Sequence, residues 1–257
     1  MIRDWSNFIA GRTAVITGGG GGVGRAIAIQ MARAGAHIWV NDLFAERAEQ
    51  VCREIEAEHG QATPVIADVC DPAQVARMVE TTGSVDIVVN NAGIPAEGIT
   101  VRPFVETGPE EWDPLLRLNL AAVLHVTRAY LPFMIEAQWG RVLTIVSDAG
   151  RKGERKQVVY GAAKAAAMGF SRGLAAEVGR DGVTVNCIAL GTMNHGQLAA
   201  ALVEQPELEA KLARNYPAGR IGRVDDCAPL AVLLCSDAAE WITGQVYPVD
   251  GGYAMAL

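Results

Sequence analysis

Short runs of β-branched and aliphatic residues alternate along this chain with longer, Ala-rich stretches whose apolar positions recur at helical spacing. The run 13–17 is followed by a helix beginning at Val23, and the run 37–40 by one beginning at Ala45. Further strands are predicted at 64–67, 85–90, 142–147, 183–188 and 245–249. Between them, helices are predicted at 72–81, 110–137, 158–179 and 225–236. The strand segments are apolar at successive positions, the pattern of strands covered on both faces. Strict alternation of strand and helix then predicts an α/β fold, a doubly wound, Rossmann-type parallel sheet of about seven strands with helices on both sides. No repeat or linker divides the chain, so residues 1–257 are expected to form a single domain. The least regular stretch, 195–223, follows a strand end, and the segment 192–223 is expected to be a substrate lid.

Composition narrows the function. Half of the 257 residues are hydrophobic and few are aromatic, which suits a core of Ala, Val, Ile and Leu. No apolar run approaches the roughly 18 residues that cross a bilayer, and Met1-Ile2-Arg3-Asp4-Trp5 lacks the apolar core of a signal peptide. The five cysteines contain no Cys-x-x-Cys pair. Free thiols in a reducing cytoplasm are therefore expected. A net charge of −7 argues against nucleic acid or an anionic membrane as partner. The four histidines show no ligand spacing, so no metal site is expected.

Candidate chemistry begins at Thr17-Gly18-Gly19-Gly20-Gly21-Gly22-Val23-Gly24, between a strand and a helix. Here missing side chains let backbone approach a pyrophosphate, and the helix start supplies free N–H groups and positive potential. Gly18, Gly22, Val23 and Gly24 are the cofactor candidates. Taken alone, such a loop also suits a simple tight turn. Asp42, at the end of the next strand, changes the balance, because a carboxylate there can accept hydrogen bonds from both adenine-ribose hydroxyls. It would repel a 2′-phosphate, and Gly19-Gly20-Gly21 offers no cation to bind one. NAD rather than NADP is the expected cofactor. Asp68, with Val69 after it, ends a further strand and is placed to face the adenine. Asn90-Asn91-Ala92-Gly93 ends the one after, making Asn91 and Gly93 further candidates.

The second constellation is Tyr160-Gly161-Ala162-Ala163-Lys164, with Ser147 upstream at a strand end. Tyr160 and Lys164 share a helix face at i and i+4. A free phenol loses its proton near pH 10, too high for efficient proton transfer at neutrality. A neighbouring ammonium and the positive nicotinamide of NAD⁺ are both expected to favour phenolate, and Ser147 to orient the substrate oxygen. Tyr130, Tyr216, Tyr247 and Tyr253 have no Lys four residues on, which singles out Tyr160.

With these motifs in order, the chain resembles the short-chain dehydrogenase/reductase family over nearly its whole length. The matching elements are Thr17-Gly-x-x-x-Gly22-x-Gly24, Asn90-Asn91-Ala92-Gly93, Asn119, Ser147, Tyr160-x-x-x-Lys164, Val185-Asn186 and Asp250-Gly251-Gly252. The resemblance implies catalysis by Asn119, Ser147, Tyr160 and Lys164, with Tyr160 and Lys164 also touching the cofactor. It places Asn119 in a water relay beside Lys164 and implies a homotetramer. The expected activity is NAD-dependent interconversion of a secondary alcohol and a ketone. A 3-oxoacyl-thioester reductase and a non-catalytic NAD-binding protein are the alternatives.

Two features depart from the family pattern or sharpen it. Where members carry Pro-Gly and, four residues beyond, Thr, this chain has Leu190-Gly191 and His195. Thr192 is a possible substitute, and His195 is either a substrate contact or, more simply, a solvated loop residue. Ser147-Asp148-Ala149 is similar to the segment in members that oxidise ring hydroxyls of cyclic acyl-CoA thioesters. Asp148 facing inward would raise the phenol's pKa, so it is expected to point away or pair with Arg151. The adjoining 151–156 loop carries a formal charge of +3 and two of the chain's four lysines. It is either a solvated loop or subunit contact, or an electrostatic funnel for an acidic small-molecule substrate.

Overall fold

Seven parallel strands form one sheet: β1 (Thr13–Ile16), β2 (His37–Asp42), β3 (Gln61–Ile66), β4 (Ile87–Asn90), β5 (Gly140–Ser147), β6 (Val183–Leu190) and β7 (Val246–Val249). Their spatial order is β3-β2-β1-β4-β5-β6-β7. The chain winds outward from β1 to β3, then returns to lay β4 on the other side of β1. The strand ends between β1 and β4 therefore open a crevice where a nucleotide fits. This computed structural model describes residues 7–95, 98–99 and 101–255.

Successive strand residues point to opposite faces, and both faces are covered. Ile16, Ile38, Leu143 and Ile188 pack with Ile27 and Met31 of α1 (Gly22–Arg33), with Val51 and Ile55 of α2 (Ala45–Ala57) and with α10 (Ala228–Leu234). Val15, Val88, Val142 and Val185 point the other way, against α3 (Pro72–Thr82), α5 (Ala122–Glu136) and α7 (Val158–Val178). Pro64 lies inside β3 without harm, because β3 is an edge strand and one missing N–H donor is tolerated there. That proline conceals the strand's start at Gln61 from a reading of the sequence.

Two sequence expectations need correction. The predicted 110–137 helix is interrupted: α4 (Pro109–Leu116) passes through a π-turn (Arg117–Ala121) into α5. The combined helix spans 28 residues and holds an 18-residue window of mean hydropathy 1.3, long and apolar enough by length and composition to cross a bilayer although no such segment was expected. In the fold it lies on the sheet and buries Val123, Val126, Tyr130 and Met134. The supposedly irregular 192–223 segment holds two helices, α8 (Gly196–Glu204) and α9 (Pro206–Ala213). They pack on a small cluster of Leu202, Tyr216 and Ile221.

Candidate active site

The glycine-rich turn is stitched to the neighbouring strand end. Thr17 Oγ1 accepts the N–H groups of Asn91 (3.0 Å) and Ala92 (3.1 Å). Asn91 Nδ2 in turn donates to the carbonyls of Thr17 (2.9 Å) and Gly18 (3.0 Å). Asn91 thus holds the loop with its side chain. Gly18 and Gly22 have φ of +61° and +51°, where a Cβ is strained. A Cβ on Gly24 would strike the Gly18 carbonyl. The first turn of α1 has neither a side-chain cap nor an acidic residue, so its amides and positive field face the crevice unneutralised. Such a cradle fits a dinucleotide pyrophosphate.

Asp42, buried at the end of β2, braces this loop. Its Oδ2 accepts the Gly20 N–H (3.1 Å) and its Oδ1 the Phe44 N–H (3.1 Å). A Cβ on Gly20 would lie 2.6 Å from that carboxylate and 2.7 Å from Cβ of Arg47. The cation that the 19–21 loop lacks is therefore close by on α2, where the Arg47 guanidinium lies 4.5 Å from the centre of the Phe44 ring. Sequence reading missed Arg47 because it belongs to the following helix. Asp68 Oδ1 accepts the Cys70 N–H (2.8 Å), while Val69 is buried beneath the same edge.

On the other side of the crevice, Ser147 ends β5 and Tyr160 and Lys164 lie on α7. Two glycines allow this approach. A Cβ on Gly150 would come within 2.7 Å of Ala165 N, and one on Gly161 within 2.7 Å of Ala149 O. The short helix α6 (Asp148–Lys152) thereby lies flush on α7 and brings Ser147 to Tyr160. Lys164 is buried; its Nζ donates to the Ile145 carbonyl (2.8 Å) and stands 5.8 Å from the centre of the Tyr160 ring. Asn119, fully buried in the π-turn, donates from Nδ2 to the Leu115 carbonyl (3.0 Å). Its Oδ1 has no hydrogen-bond partner among the described residues and, like Lys164 Nζ, borders Gly93. The π-turn re-aims this side chain toward the lysine, a common use of such bulges. The chain thus brings together all four residues to which the resemblance assigns catalysis.

The electrostatics around Tyr160 set burial against the neighbouring charges. Burial pushes the Tyr160 phenol up to about 12, with the Ser147 hydroxyl acting in the opposite direction. Burial also brings Lys164 down to about 8. The ammonium's attraction does not by itself overcome the phenol's desolvation. The positive nicotinamide is the second charge expected to favour a phenolate there.

Tyr160 also forms one wall of an apolar cleft with Phe104, Trp112, Leu115 and Val158, bordered by Arg102 and the exposed Lys156. Phe104 and Trp112 stack at 5.2 Å, and Arg102 pairs with Glu111. Two of the +3 loop's four cations, Arg151 and Lys152, have acidic partners. Arg151 Nη1 is 2.7 Å from Asp148 and 3.6 Å from Asp250. Lys152 lies 3.4 Å from the Tyr253 ring centre and 3.9 Å from Glu154. Only Lys156 among the four cations lines the cleft.

A family model described as enoyl-(acyl carrier protein) reductase, of the short-chain dehydrogenase/reductase type, matches residues 18–254. The chain belongs to the short-chain dehydrogenase/reductase family. It is 34% identical to a 3-oxoacyl-[acyl-carrier-protein] reductase of Pseudomonas aeruginosa over 253 residues, 96% of this chain and 99% of that protein. A 3-oxoacyl-[acyl-carrier protein] reductase from Brucella melitensis with bound NAD superposes with TM-score 0.90 at 32% identity, covering 98% of this chain and 95% of that one. A gluconate 5-dehydrogenase from Burkholderia cenocepacia, in complex with NADP and tartrate, gives 0.89 at 33%, covering 98% and 99%. The chain is thus an oxidoreductase of a family that uses a nicotinamide cofactor.

As a short-chain dehydrogenase/reductase, this chain departs from the pattern at two sites that the structure clarifies. Asp148 pairs with Arg151, whose Nη1 donates to its Oδ1 (2.7 Å), one of the two outcomes the sequence left open. Its Oδ2 is buried without a conventional partner, and burial raises the carboxyl to about 6. A proton on that oxygen gives it a partner in Asp250, where burial acts upward but is outweighed by amide hydrogen bonds from Ala254 and Gly252, by Asp148 and by Arg151, so that its pKa is lowered. His195 is the second site. It is not a solvated loop residue: it is half-buried against the glycine-rich turn, with Nδ1 3.1 Å from where a Cβ on Gly22 would lie. Thr192 instead donates its N–H to the Tyr216 hydroxyl (2.9 Å).

Proposed function

We propose that this protein is an NAD(H)-dependent oxidoreductase that interconverts a secondary alcohol and a ketone on a substrate with an apolar body and an anionic group. The observation that carries this reading is the position of Tyr160, between Ser147 and the apolar cleft, on the same helix face as Lys164. A bound nicotinamide supplies the hydride acceptor or donor, and in its oxidised form the additional positive charge that favours a phenolate. Tyr160 takes or gives the hydroxyl proton, and Ser147 fixes the oxygen beside it. Lys164 and Asn119 face Gly93 from the buried side, where Asn119 Oδ1 is suited to accept a hydrogen bond from relay water. This arrangement favours an enzyme over a non-catalytic NAD-binding protein, since binding alone needs no buried Tyr-Lys-Asn set.

NAD is preferred over NADP in this reading because Asp42 presents a carboxylate at the ribose end of β2. Arg47 beside it keeps some affinity for a 2′-phosphate. The 3-oxoacyl-thioester reductase alternative is supported by the acyl-carrier-protein reductases among the relatives and by Lys156 at the cleft. The proposal includes a cytoplasmic homotetramer, for which the five free cysteines and the family resemblance speak. The direct test is NAD(P)H absorbance across 3-oxoacyl thioesters, cyclic hydroxyacyl-CoAs, hydroxy acids and neutral secondary alcohols. Turnover of an anionic member with NAD(H), well above neutral alcohols of similar size, is expected. Turnover confined to neutral alcohols, or to NADP(H), contradicts it.

A further inference from the structure

After β6 ends at Leu190 the chain turns back over the nucleotide crevice, and His195 becomes the N-cap of α8 in an extended conformation (φ −158°). Its own N–H donates to the Met193 carbonyl (3.0 Å), and its carbonyl accepts the Ala199 N–H (3.4 Å). The backbone is thereby fixed while the imidazole projects against Gly22. A Cβ on Gly22 would stand 3.1 Å from Nδ1 and 3.5 Å from Cγ. Gly22 is the first residue of α1, the helix whose opening amides lack a cap. The ring therefore lies beside the donors that suit a pyrophosphate.

Little charge nearby competes for that ring. The stretch 17–24 contains no ionisable side chain. On α1, Arg25 is held by Glu54 at 2.6 Å, and Asp42 at the far side of the loop accepts the Gly20 and Phe44 amides. From the segment after α9, Arg220 is held by Asp226 at 2.6 Å. The only ionisable residue within α8 is Glu204, at its opposite end. Burial lowers the imidazole's pKa below its ordinary value, and the positive end of the α1 dipole acts in the same direction. Of the common side chains, histidine is the one for which such shifts decide the charge near neutral pH.

We propose that His195 is a proton-coupled clamp: it is neutral in the chain by itself, and takes up a proton from solvent as a dinucleotide's two phosphate charges arrive beside it. This rests on the nicotinamide-dinucleotide reading above. Linkage fixes the sign. The complex holds its proton to higher pH than the free chain, so affinity is greatest at low pH. It falls as pH rises through the imidazole's raised value in the complex, then levels off.

ADP-ribose tests this without any turnover, because it carries the pyrophosphate and the adenosine but no nicotinamide. Calorimetric titration at pH 7 in two buffers of different ionisation enthalpy reads the protons taken up. The wild-type protein is expected to take up a substantial fraction of one proton, and its Kd to weaken about tenfold between pH 6 and pH 8.5. His195→Gln should show almost no uptake and a change of about twofold or less over the same range. His195→Asn, a favourable helix N-cap, gives the same comparison if the glutamine variant folds poorly. Binding by the wild type without proton uptake, or equal uptake by wild type and variants, overturns the clamp. Failure of ADP-ribose to bind the wild type at all overturns the nucleotide reading on which it rests.

Discussion

Gly93 and Lys164 lie closer together than any larger residue at position 93 would permit. A Cβ there would stand 2.6 Å from Lys164 Nζ and 2.8 Å from Asn119 Oδ1. The small residue after the β4 strand end therefore sets where the ammonium rests. The relation is functional more than structural, since the atom in the way is the end of a flexible side chain. Gly93→Ala is expected to lower kcat by about tenfold, near 1.4 kcal/mol of transition-state stabilisation. Its thermal midpoint should move by only a few degrees. Unchanged kcat in this variant would show that Lys164 tolerates displacement.

Asp42 and Arg47 meet at Gly20, and cofactor choice is expected to turn on them. Wild-type enzyme is expected to favour NAD over NADP by at least about tenfold in kcat/KM, some 1.4 kcal/mol. Asp42→Ala should narrow that preference, mainly by weakening NAD, and Arg47→Ala should widen it by weakening NADP. The kcat/KM values of the three proteins with both cofactors, measured at one ionic strength, check both directions.

The Asp148–Asp250 pair gives the fold a pH dependence of its own. Asp148 is raised from 3.8 to about 6 by burial, so its protonated form is the one that the folded state favours. That contribution is complete below about pH 4 and is lost as pH rises through about 6. Asp250 is shifted the other way, so it stays ionised over this range. Asp148→Asn keeps an acceptor for Arg151 and a donor for Asp250 at every pH. It is expected to raise stability above pH 7 by on the order of 1–3 kcal/mol and to flatten the melting curve between pH 4 and pH 7. Parallel pH slopes for wild type and variant would contradict the shared proton.

Lys156 is the one cation of the 151–156 loop that lines the Tyr160 cleft. Lys156→Gln is expected to raise KM for an anionic substrate by roughly threefold to tenfold at low salt, with neutral substrates little affected. Added salt should shrink the difference. Arg151→Gln should act on stability instead, because its guanidinium is committed to Asp148 and Asp250. Equal effects on charged and neutral substrates would remove the loop from substrate recognition.

Local sequence carried the fold far. The β-branched runs and glycine positions are short-range signals, and they predicted a parallel, doubly wound sheet and the glycine cradle. Tyr160 and Lys164 were legible because both lie on one helix face. What escaped depends on contacts distant in the chain. Asn119 is legible only through the family resemblance, since it otherwise looks like an ordinary helix residue until the π-turn aims it at Gly93, and Arg47 reaches the glycine loop from α2. His195 looked solvated because nothing in its neighbourhood announces that the turn after β6 folds back onto Gly22. The rise of the Tyr160 phenol in the chain by itself comes from burial, which the spacing of charged residues does not reveal.

Tyr160 as the proton-transferring group is the centre of this account, and Tyr160→Phe tests it most directly. The substitution removes one oxygen from a buried ring and leaves the glycine cradle intact. kcat should fall by about 100-fold or more, while the Kd for NADH, followed by its fluorescence, changes by about threefold or less. A variant that binds NADH normally and keeps a third or more of wild-type kcat would contradict the mechanism.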